Sequence, residues 1–171
     1  FEFPIDPRLS ILNPFHKLQA EDKYVLLSGT NPIFEAANGK DNQFIIDLIE
    51  RCTTLTIFNS EKIPKSLNIS LHQVRQICYP YVDSHNSPEG IHQDGVDFIV
   101  SALVMNRTNI EGGESILYDV YKNEIYRTTL YPGEGIFQED RKLWHFVTPI
   151  KSIDNCVGYR DILGIDISII S

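Results

Sequence analysis

The segment VGYRDILGIDISII, residues 157–170, alternates between two faces along its whole length. Its odd-numbered positions are apolar apart from Asp161, and its even-numbered positions include two glycines, Arg160 and Asp166. A repeat of two is the pattern of a β-strand, because successive side chains of a strand point to opposite faces of the sheet. This segment therefore predicts one long strand.

Further strands are predicted upstream of this segment, separated by turn-forming residues. They cover residues 67–79, 96–105, 114–121, 124–131, 135–138 and 143–148. One amphipathic helix is predicted at residues 42–51. Residues 1–40 are expected to be irregular because prolines interrupt them. No crossover helices separate the later strands, which disfavours a parallel α/β sheet. The pattern predicts a mainly β fold with few helices, a double-stranded β-helix of the jelly-roll or cupin-like type.

The length of 171 residues predicts a single domain with a sizeable core. We expect residues 1–66 to form an irregular and helical N-terminal part and residues 67–171 to form the β-helix. The sequence begins at Phe1 and not at a methionine, so we expect its natural start to be missing.

Composition excludes several classes of protein. The formal net charge of -8 and the lack of a Lys/Arg cluster argue against nucleic-acid binding. No apolar stretch is long enough for a membrane span, and no signal peptide precedes the predicted strands. The three cysteines are widely spaced and odd in number, which favours reduced thiols in the cytoplasm. The oligomeric state cannot be predicted.

Two short motifs predict a metal site. His92 and Asp94 lie two residues apart in a loop between predicted strands, and His145 lies on a later strand. Two imidazoles and one carboxylate on one side of an iron ion form a facial triad with open positions for a co-substrate and O₂. His-x-Asp alone is common by chance, and a packed strand histidine is an alternative interpretation of His145. His16, His72 and His85 are not expected to be ligands.

Arg160 is the third feature of the predicted site. It shares its strand face with two glycines that leave space, and a buried guanidinium needs an anionic partner. A carboxylate that accepts two hydrogen bonds from the guanidinium is the natural choice. The alternative is an internal salt bridge to Asp166, Asp94 or another acid.

These motifs together resemble one family. In chain order they are ISLHQVR at 69–75, GIHQDG at 90–95, GGE at 112–114, WHFVTP at 144–149 and YRDIL at 159–163. The chain resembles the 2-oxoglutarate- and Fe(II)-dependent dioxygenases that include bacterial L-isoleucine dioxygenase and related free amino-acid hydroxylases. The resemblance covers roughly residues 67–170 and is weaker over residues 1–66, where the family usually has a longer N-terminal portion.

The resemblance implies a double-stranded β-helix that uses Fe(II), 2-oxoglutarate and O₂. It implies His92, Asp94 and His145 as iron ligands and Arg160 as the anchor of the distal carboxylate of 2-oxoglutarate. Thr148, on the strand of His145, is predicted to add a hydroxyl contact to the co-substrate. The substrate implied is a small molecule, a free aliphatic amino acid, hydroxylated at an aliphatic carbon.

Arg75 is predicted to be a second interior arginine, because its strand face carries Leu67, Ile69, Leu71 and Ile77. We interpret it as the residue that binds the substrate carboxylate. The near carboxylate of 2-oxoglutarate is an alternative, and so is a buried salt bridge to Glu89, Asp97 or Glu114.

Two other functions are compatible with a β-roll of this composition. One is a non-catalytic protein that binds a metal or a small acid, and the other is a cupin-type metalloenzyme that does not use 2-oxoglutarate. An interior Arg160 argues against both of these functions.

Overall fold

A computed structural model describes residues 2–4, 24–27 and 43–170. Eleven strands and one α-helix lie in these residues, together with a short 3-10 helix. The α-helix, α1, is Gln43–Asn59 and the 3-10 helix is Asp140–Lys142. The strands are β1 (Glu2–Pro4), β2 (Tyr24–Leu27), β3 (Ser66–Cys78), β4 (Phe98–Thr108), β5 (Ile110–Gly112), β6 (Glu114–Tyr118), β7 (Glu124–Thr129), β8 (Gly135–Glu139), β9 (Trp144–Val147), β10 (Ile150–Ser152) and β11 (Gly158–Ile170).

The strands form a large sheet and a smaller layer opposite it. The large sheet has the strand order β1-β3-β11-β4-β8-β2, and every pairing in it is antiparallel. The smaller layer consists of a three-stranded sheet, β7-β6-β9, and the pair β10-β5. Two facing antiparallel layers confirm the predicted double-stranded β-helix.

The two layers bury an apolar interior between them. Ala102, Val104 and Ile162 of the large sheet pack there against Leu117 of the smaller layer and against Leu143, which directly precedes β9. The opposite face of the large sheet packs on α1 through a separate apolar cluster. Members of that cluster include Ile45, Leu48, Cys52, Leu67, Ile69, Phe137, Leu163, Ile165 and Ile167. The large sheet is thus covered on both faces, and the even-numbered residues of β11 face the interior.

Helix α1 is longer than predicted, because it continues from the expected end at residue 51 to Asn59. The extension contains Thr53, Thr54 and Thr56, and β-branched residues favour strands over helices. Thr54 and Thr56 donate hydrogen bonds to the carbonyls of Glu50 and Cys52, and Thr56 is fully buried. Packing on the sheet therefore outweighs a weak local preference.

Most predicted strands are confirmed within a few residues, including the hairpin of β6 and β7. Residues 1–40 were expected to be irregular, but β1 and β2 pair with β3 and β8 and extend both edges of the large sheet. A pattern-based prediction overlooks such short strands because a few residues show no period. No helix among the described residues has the length and apolar character needed to cross a membrane.

The interior position predicted for Arg75 is wrong. Arg75 points to the outer face of the large sheet, and 58% of its side chain is exposed. It donates two hydrogen bonds to Asp161 at 2.6 and 2.8 Å and lies over the Tyr159 ring. Leu67 and Ile69 share that face and are buried only because α1 covers them. Alternation predicts which residues share a face, but here the polar face is the interior one.

Candidate metal centre

His92, Asp94 and His145 converge at the edge of the interior, where His145 is buried, His92 is half-buried and Asp94 is exposed. Each offers one ligand atom, and these atoms all lie within 4.8 Å of one another. Asp94 Oδ1 is 3.6 Å from His92 Nε2, and Asp94 Oδ2 is 3.8 Å from His145 Nε2. Separations of this size leave room for one ion bound at about 2 Å by each atom. The structure thus brings together all three predicted ligands.

Backbone pairing fixes the two histidines relative to each other. The amide of each residue donates to the carbonyl of the other, with both N–O distances at 3.0 Å. The reciprocal bonds continue the smaller layer from β9 to the loop before β4. His92 Nδ1 also contacts the Gly90 carbonyl at 2.8 Å, which orients Nε2 towards the centre. The centre therefore rests on rigid backbone on this side.

Asp140 holds the loop that carries Asp94. Its carboxylate accepts hydrogen bonds from the amides of Asp94, Gly95 and Val96 at 3.1, 2.8 and 3.3 Å. Asp140 is fully buried, and Gly95 has φ of +83°, a conformation that a side chain disfavours. These contacts fix the turn that presents Asp94 to the histidines.

Gln93 and Gln138 add side-chain contacts around the centre. Gln93 donates to the carbonyls of Asp140 and Leu143 at 2.7 and 3.3 Å, and the Gln138 amide lies 3.5 Å from His145 Nδ1. The sequence analysis missed Asp140, Gln93 and Gln138. The only sequence signal for Asp140 is a carboxylate directly after a predicted strand, which is common in surface turns.

The electrostatic environment favours a bound cation. Burial, and then the neighbouring His92, lower the pKa of His145 to about 4, so its imidazole is neutral and can act as a ligand at pH 7. Burial raises the pKa of Asp94, an effect that His92 opposes and that Asp166 and Glu89 reinforce. Glu89 Oε1 also lies 3.1 Å from His92 Nε2. Three carboxylates thus act on one small volume, which a divalent ion would neutralise.

Arg160 lies in the same interior and is fully buried. Its Nη1 donates to the Gly113 carbonyl at 3.1 Å, and its Nη2 donates to Gln76 Oε1 at 3.0 Å. Its Nε has no partner, and no carboxylate of the described residues pairs with it. The internal salt bridge that was considered for Arg160 is therefore not found among them. A buried guanidinium with an unused donor fits the distal carboxylate of 2-oxoglutarate.

Thr148 lies just after β9, close to Gly113, whose carbonyl contacts Arg160. Its hydroxyl accepts a hydrogen bond from the amide of Glu114 at 2.9 Å, and Glu114 directly follows Gly113. A hydroxyl that accepts one bond can still donate its own proton. Thr148 is thus available for the predicted contact.

The other histidines lie outside this cluster where the structure describes them. His72 pairs with Asp166 at 2.7 Å on the interior side of the large sheet, and His85 is exposed. His16 lies outside the described residues.

Comparison with known proteins agrees with this geometry. A family model described as "2OG-Fe dioxygenase" matches residues 12–166. Among solved structures, IDO from Bacillus thuringiensis is 27% identical, with a TM-score of 0.62 over 74% of this chain. No curated protein matches the sequence.

Two further structures share the fold at lower identity. A bsmA homolog from Methylobium petroleophilum PM1 is 23% identical, with a TM-score of 0.62 over 74% of this chain. The Fe(II)/(alpha)ketoglutarate-dependent dioxygenase TqaL is 14% identical, with a TM-score of 0.61 over 86% of this chain. The chain spans 57% of IDO, 50% of the bsmA homolog and 62% of TqaL.

The family's description names iron and 2-oxoglutarate, and a dioxygenase consumes O₂. The donor set of the metal centre and the unpaired buried guanidinium both fit those groups. Since the family model matches most of the chain, this protein belongs to the 2OG-Fe dioxygenase family.

Proposed function

We propose that the protein is an Fe(II)- and 2-oxoglutarate-dependent dioxygenase that hydroxylates an aliphatic carbon of a free L-amino acid or a similar small molecule. One observation carries the proposal. Arg160, which is buried and has no carboxylate partner among the described residues, faces the same interior as the His92–Asp94–His145 cluster. A cupin-type metalloenzyme without 2-oxoglutarate has no use for such an arginine.

The iron ligands in this proposal are His92, Asp94 and His145. When bound, iron with 2-oxoglutarate supplies the oxidising power of the reaction by activating O₂. The protein's residues hold and orient these groups. The backbone pairing of the two histidines and the Asp140 contacts keep the ligand atoms in place. Arg160 binds the distal carboxylate of the co-substrate, and the Thr148 hydroxyl donates a hydrogen bond to the same molecule.

The free amino acid is the finer part of the proposal. It rests on the resemblance of the motifs and on the charge of the interior near the metal centre. Asp166 lies on the interior face of β11, and its charge reaches both Asp94 and His145. A carboxylate in this position suits the ammonium group of an amino acid. Arg75 takes no part in substrate binding in this proposal, because its side chain is exposed and paired with Asp161.

The cytoplasm is the proposed location. Cys52, Cys78 and Cys156 are all free, and Cys52 and Cys78 are buried. Unpaired buried thiols suit a reducing compartment.

Anaerobic titration tests the activity class. Fe(II) followed by 2-oxoglutarate should produce a weak visible charge-transfer band. Admission of O₂ should then yield succinate, because oxidation in this family consumes 2-oxoglutarate. Absence of both the band and succinate, in protein shown to bind Fe(II), would contradict the proposal.

A screen of free L-amino acids tests the substrate class. Mass spectrometry should detect a product heavier by one oxygen atom, formed only when 2-oxoglutarate is present. The variant Asp166→Asn should raise the KM for that amino acid by a larger factor than it lowers Fe(II) affinity, because Asp166 acts on the metal centre only through its charge. Coupled turnover confined to substrates without an amino group would refute the amino-acid proposal and leave the dioxygenase class intact.

A further inference from the structure

A second arginine lies directly beside Arg160. Arg107 on β4 is opposite Arg160 in the antiparallel register of β4 and β11. Residues that pair in this way project to the same face of a sheet. Both guanidiniums therefore lie on the interior side of the large sheet, although only Arg160 was predicted to belong to the site.

The carbonyls of two consecutive glycines bind the two guanidiniums. Arg107 Nη2 donates to the Gly112 carbonyl at 2.7 Å, and Arg160 Nη1 donates to the next carbonyl, that of Gly113, at 3.1 Å. Gly112 and Gly113 have φ of +76° and +67°, and this backbone conformation presents successive carbonyls to the two arginines. A side chain at Gly113 would lie 3.0 Å from Arg160 Nη1 and 3.3 Å from Arg107 Nη1. The absence of that side chain leaves space for the pair.

Each arginine retains an unused donor. Arg160 Nε and Arg107 Nη1 are buried and have no hydrogen-bond partner. Across residues 43–170, neither guanidinium forms a salt bridge with an acid. Two unused donor nitrogens match the two oxygens of one carboxylate.

Burial and like charge make this pair costly without an anion. Burial lowers the pKa of Arg107, and burial followed by the charge of Arg107 lowers the pKa of Arg160 to about 10. Both groups remain protonated at pH 7, so their repulsion persists until a negative charge lies between them. An exposed pair would be screened by water, but Arg160 is fully buried.

We propose that Arg107 and Arg160 jointly bind the distal carboxylate of 2-oxoglutarate, which makes Arg107 a second co-substrate-binding residue. This inference rests on the proposed function. It implies that the protein discriminates strongly between 2-oxo acids that carry a distal carboxylate and those that end in a methyl group. The discrimination arises because a methyl group would leave unpaired the buried charge of Arg160 and the half-buried charge of Arg107.

The test compares two ligands on matched variants. The ligands are 2-oxoglutarate and 2-oxovalerate, which has the same chain length but a methyl group in place of the distal carboxylate. Wild type, Arg107→Met and Arg107→Gln are loaded with Fe(II) without O₂, and isothermal titration calorimetry gives each Kd. Arg141→Met is the control, because Arg141 is an exposed arginine paired with Asp97 on the surface.

We expect Arg107→Met to weaken 2-oxoglutarate binding on the order of tenfold or more, as when one partner of a buried charge pair is removed. The Kd for 2-oxovalerate should stay the same or fall, because the variant removes a charge that this ligand leaves unpaired. Arg141→Met should match wild type for both ligands. An equal loss for both ligands, or an unchanged Kd for 2-oxoglutarate, would overturn the inference.

Two controls separate the possible failures. If wild type loaded with Fe(II) binds no 2-oxoglutarate, the proposed function fails before Arg107 is considered. If wild type binds it and the Arg107 variants bind it equally well, only the inference about Arg107 fails. Circular dichroism verifies folding. Should the Met variant not fold, the Gln variant decides, because its amide can still donate to the Gly112 carbonyl.

Discussion

The interior contains two clusters of opposite charge, the metal centre and the arginine site formed by Arg107 and Arg160. At the metal centre, carboxylates act on one another and raise the pKa of Asp94, together with the larger effect of burial. At the arginine site, burial and a neighbouring guanidinium lower the pKa of Arg160. Each cluster therefore concentrates one sign of charge, the arginine site around a buried guanidinium and the metal centre around partly exposed carboxylates, and each is suited to a ligand of the opposite sign.

The two clusters also differ in how their geometry is supported. At the metal centre, backbone pairing and the Asp140 carboxylate restrain the ligands. At the arginine site, two glycine carbonyls hold the guanidiniums and leave one donor nitrogen of each unused. Metal binding therefore depends on ligands that backbone contacts already hold in place, whereas co-substrate binding depends on guanidinium donors that lack a partner.

Removal of a metal ligand should have the largest effect. His145→Ala is expected to lower Fe(II) affinity by more than the roughly 100-fold lost when a supporting partner of a ligand is removed. Succinate formation should fall with it. Calorimetric titration with Fe(II) measures the affinity, and His85→Ala is the control because His85 is exposed. Wild-type affinity in His145→Ala would show that the metal centre lies elsewhere.

Removal of Arg160 should impair the arginine site and leave the metal centre intact. Arg160→Ala is expected to raise the KM for 2-oxoglutarate by roughly 30-fold or more, which corresponds to a loss of about 2–5 kcal/mol. Fe(II) affinity should stay close to wild type, since Arg160 does not contact the metal centre. Succinate kinetics and Fe(II) titration measure the two quantities. A parallel loss of both would indicate a structural role for Arg160.

Asp140→Asn tests the hydrogen bonds that hold the Asp94 loop at the metal centre. The amide cannot accept hydrogen bonds on both sides, so the turn that presents Asp94 should loosen. Fe(II) affinity should fall about 10- to 100-fold, the usual effect of losing a supporting contact. Asp119→Asn is a matched control, because Asp119 also accepts backbone hydrogen bonds but lies in an exposed turn. An equal effect in both variants would mean that Asp140 has no special role.

Gly113→Ala should have the smallest effect and act on the arginine site. A left-handed conformation costs a residue with a side chain about 1–2 kcal/mol. The added Cβ would also lie 2.9 Å from Ile150 Cγ2 and 3.0 Å from Arg160 Nη1. Denaturant unfolding should show a larger loss than for Gly90→Ala, which has a positive φ but nothing within 4 Å. Equal losses of unfolding free energy in the two variants would mean that the arginine site has room for a side chain at position 113.

The sequence predicted the strands and the three candidate ligands because both depend on local patterns. Alternation in residues 157–170 is sufficient to identify β11, and His92 and Asp94 lie only two residues apart. His145 is distant and is not part of a local pattern, so the resemblance of the joint motifs was needed to choose the ligand over a packed strand histidine. The burial of Arg160 was also predictable, since glycines flank it on its face of the strand.

The error at Arg75 and the omission of Asp140 and Arg107 have physical causes. The interior of this fold is polar where it holds ligands, so a polar strand face such as that of His72 and Gln76 resembles a solvent-exposed one. Asp140 and Arg107 acquire their roles through contacts with residues distant in sequence. No local pattern distinguishes them from surface charges.

The position of β11 has a consequence for the order of folding. This strand lies between β3 and β4 and pairs with both, although it follows every other described strand in the sequence. Until the ribosome has released residues 158–170, β3 and β4 each expose an unpaired edge that can bind other chains. Arg160 arrives on that same strand. Assembly of the large sheet and completion of the arginine site thus both wait for β11, and a chain stalled before β11 would be prone to aggregate.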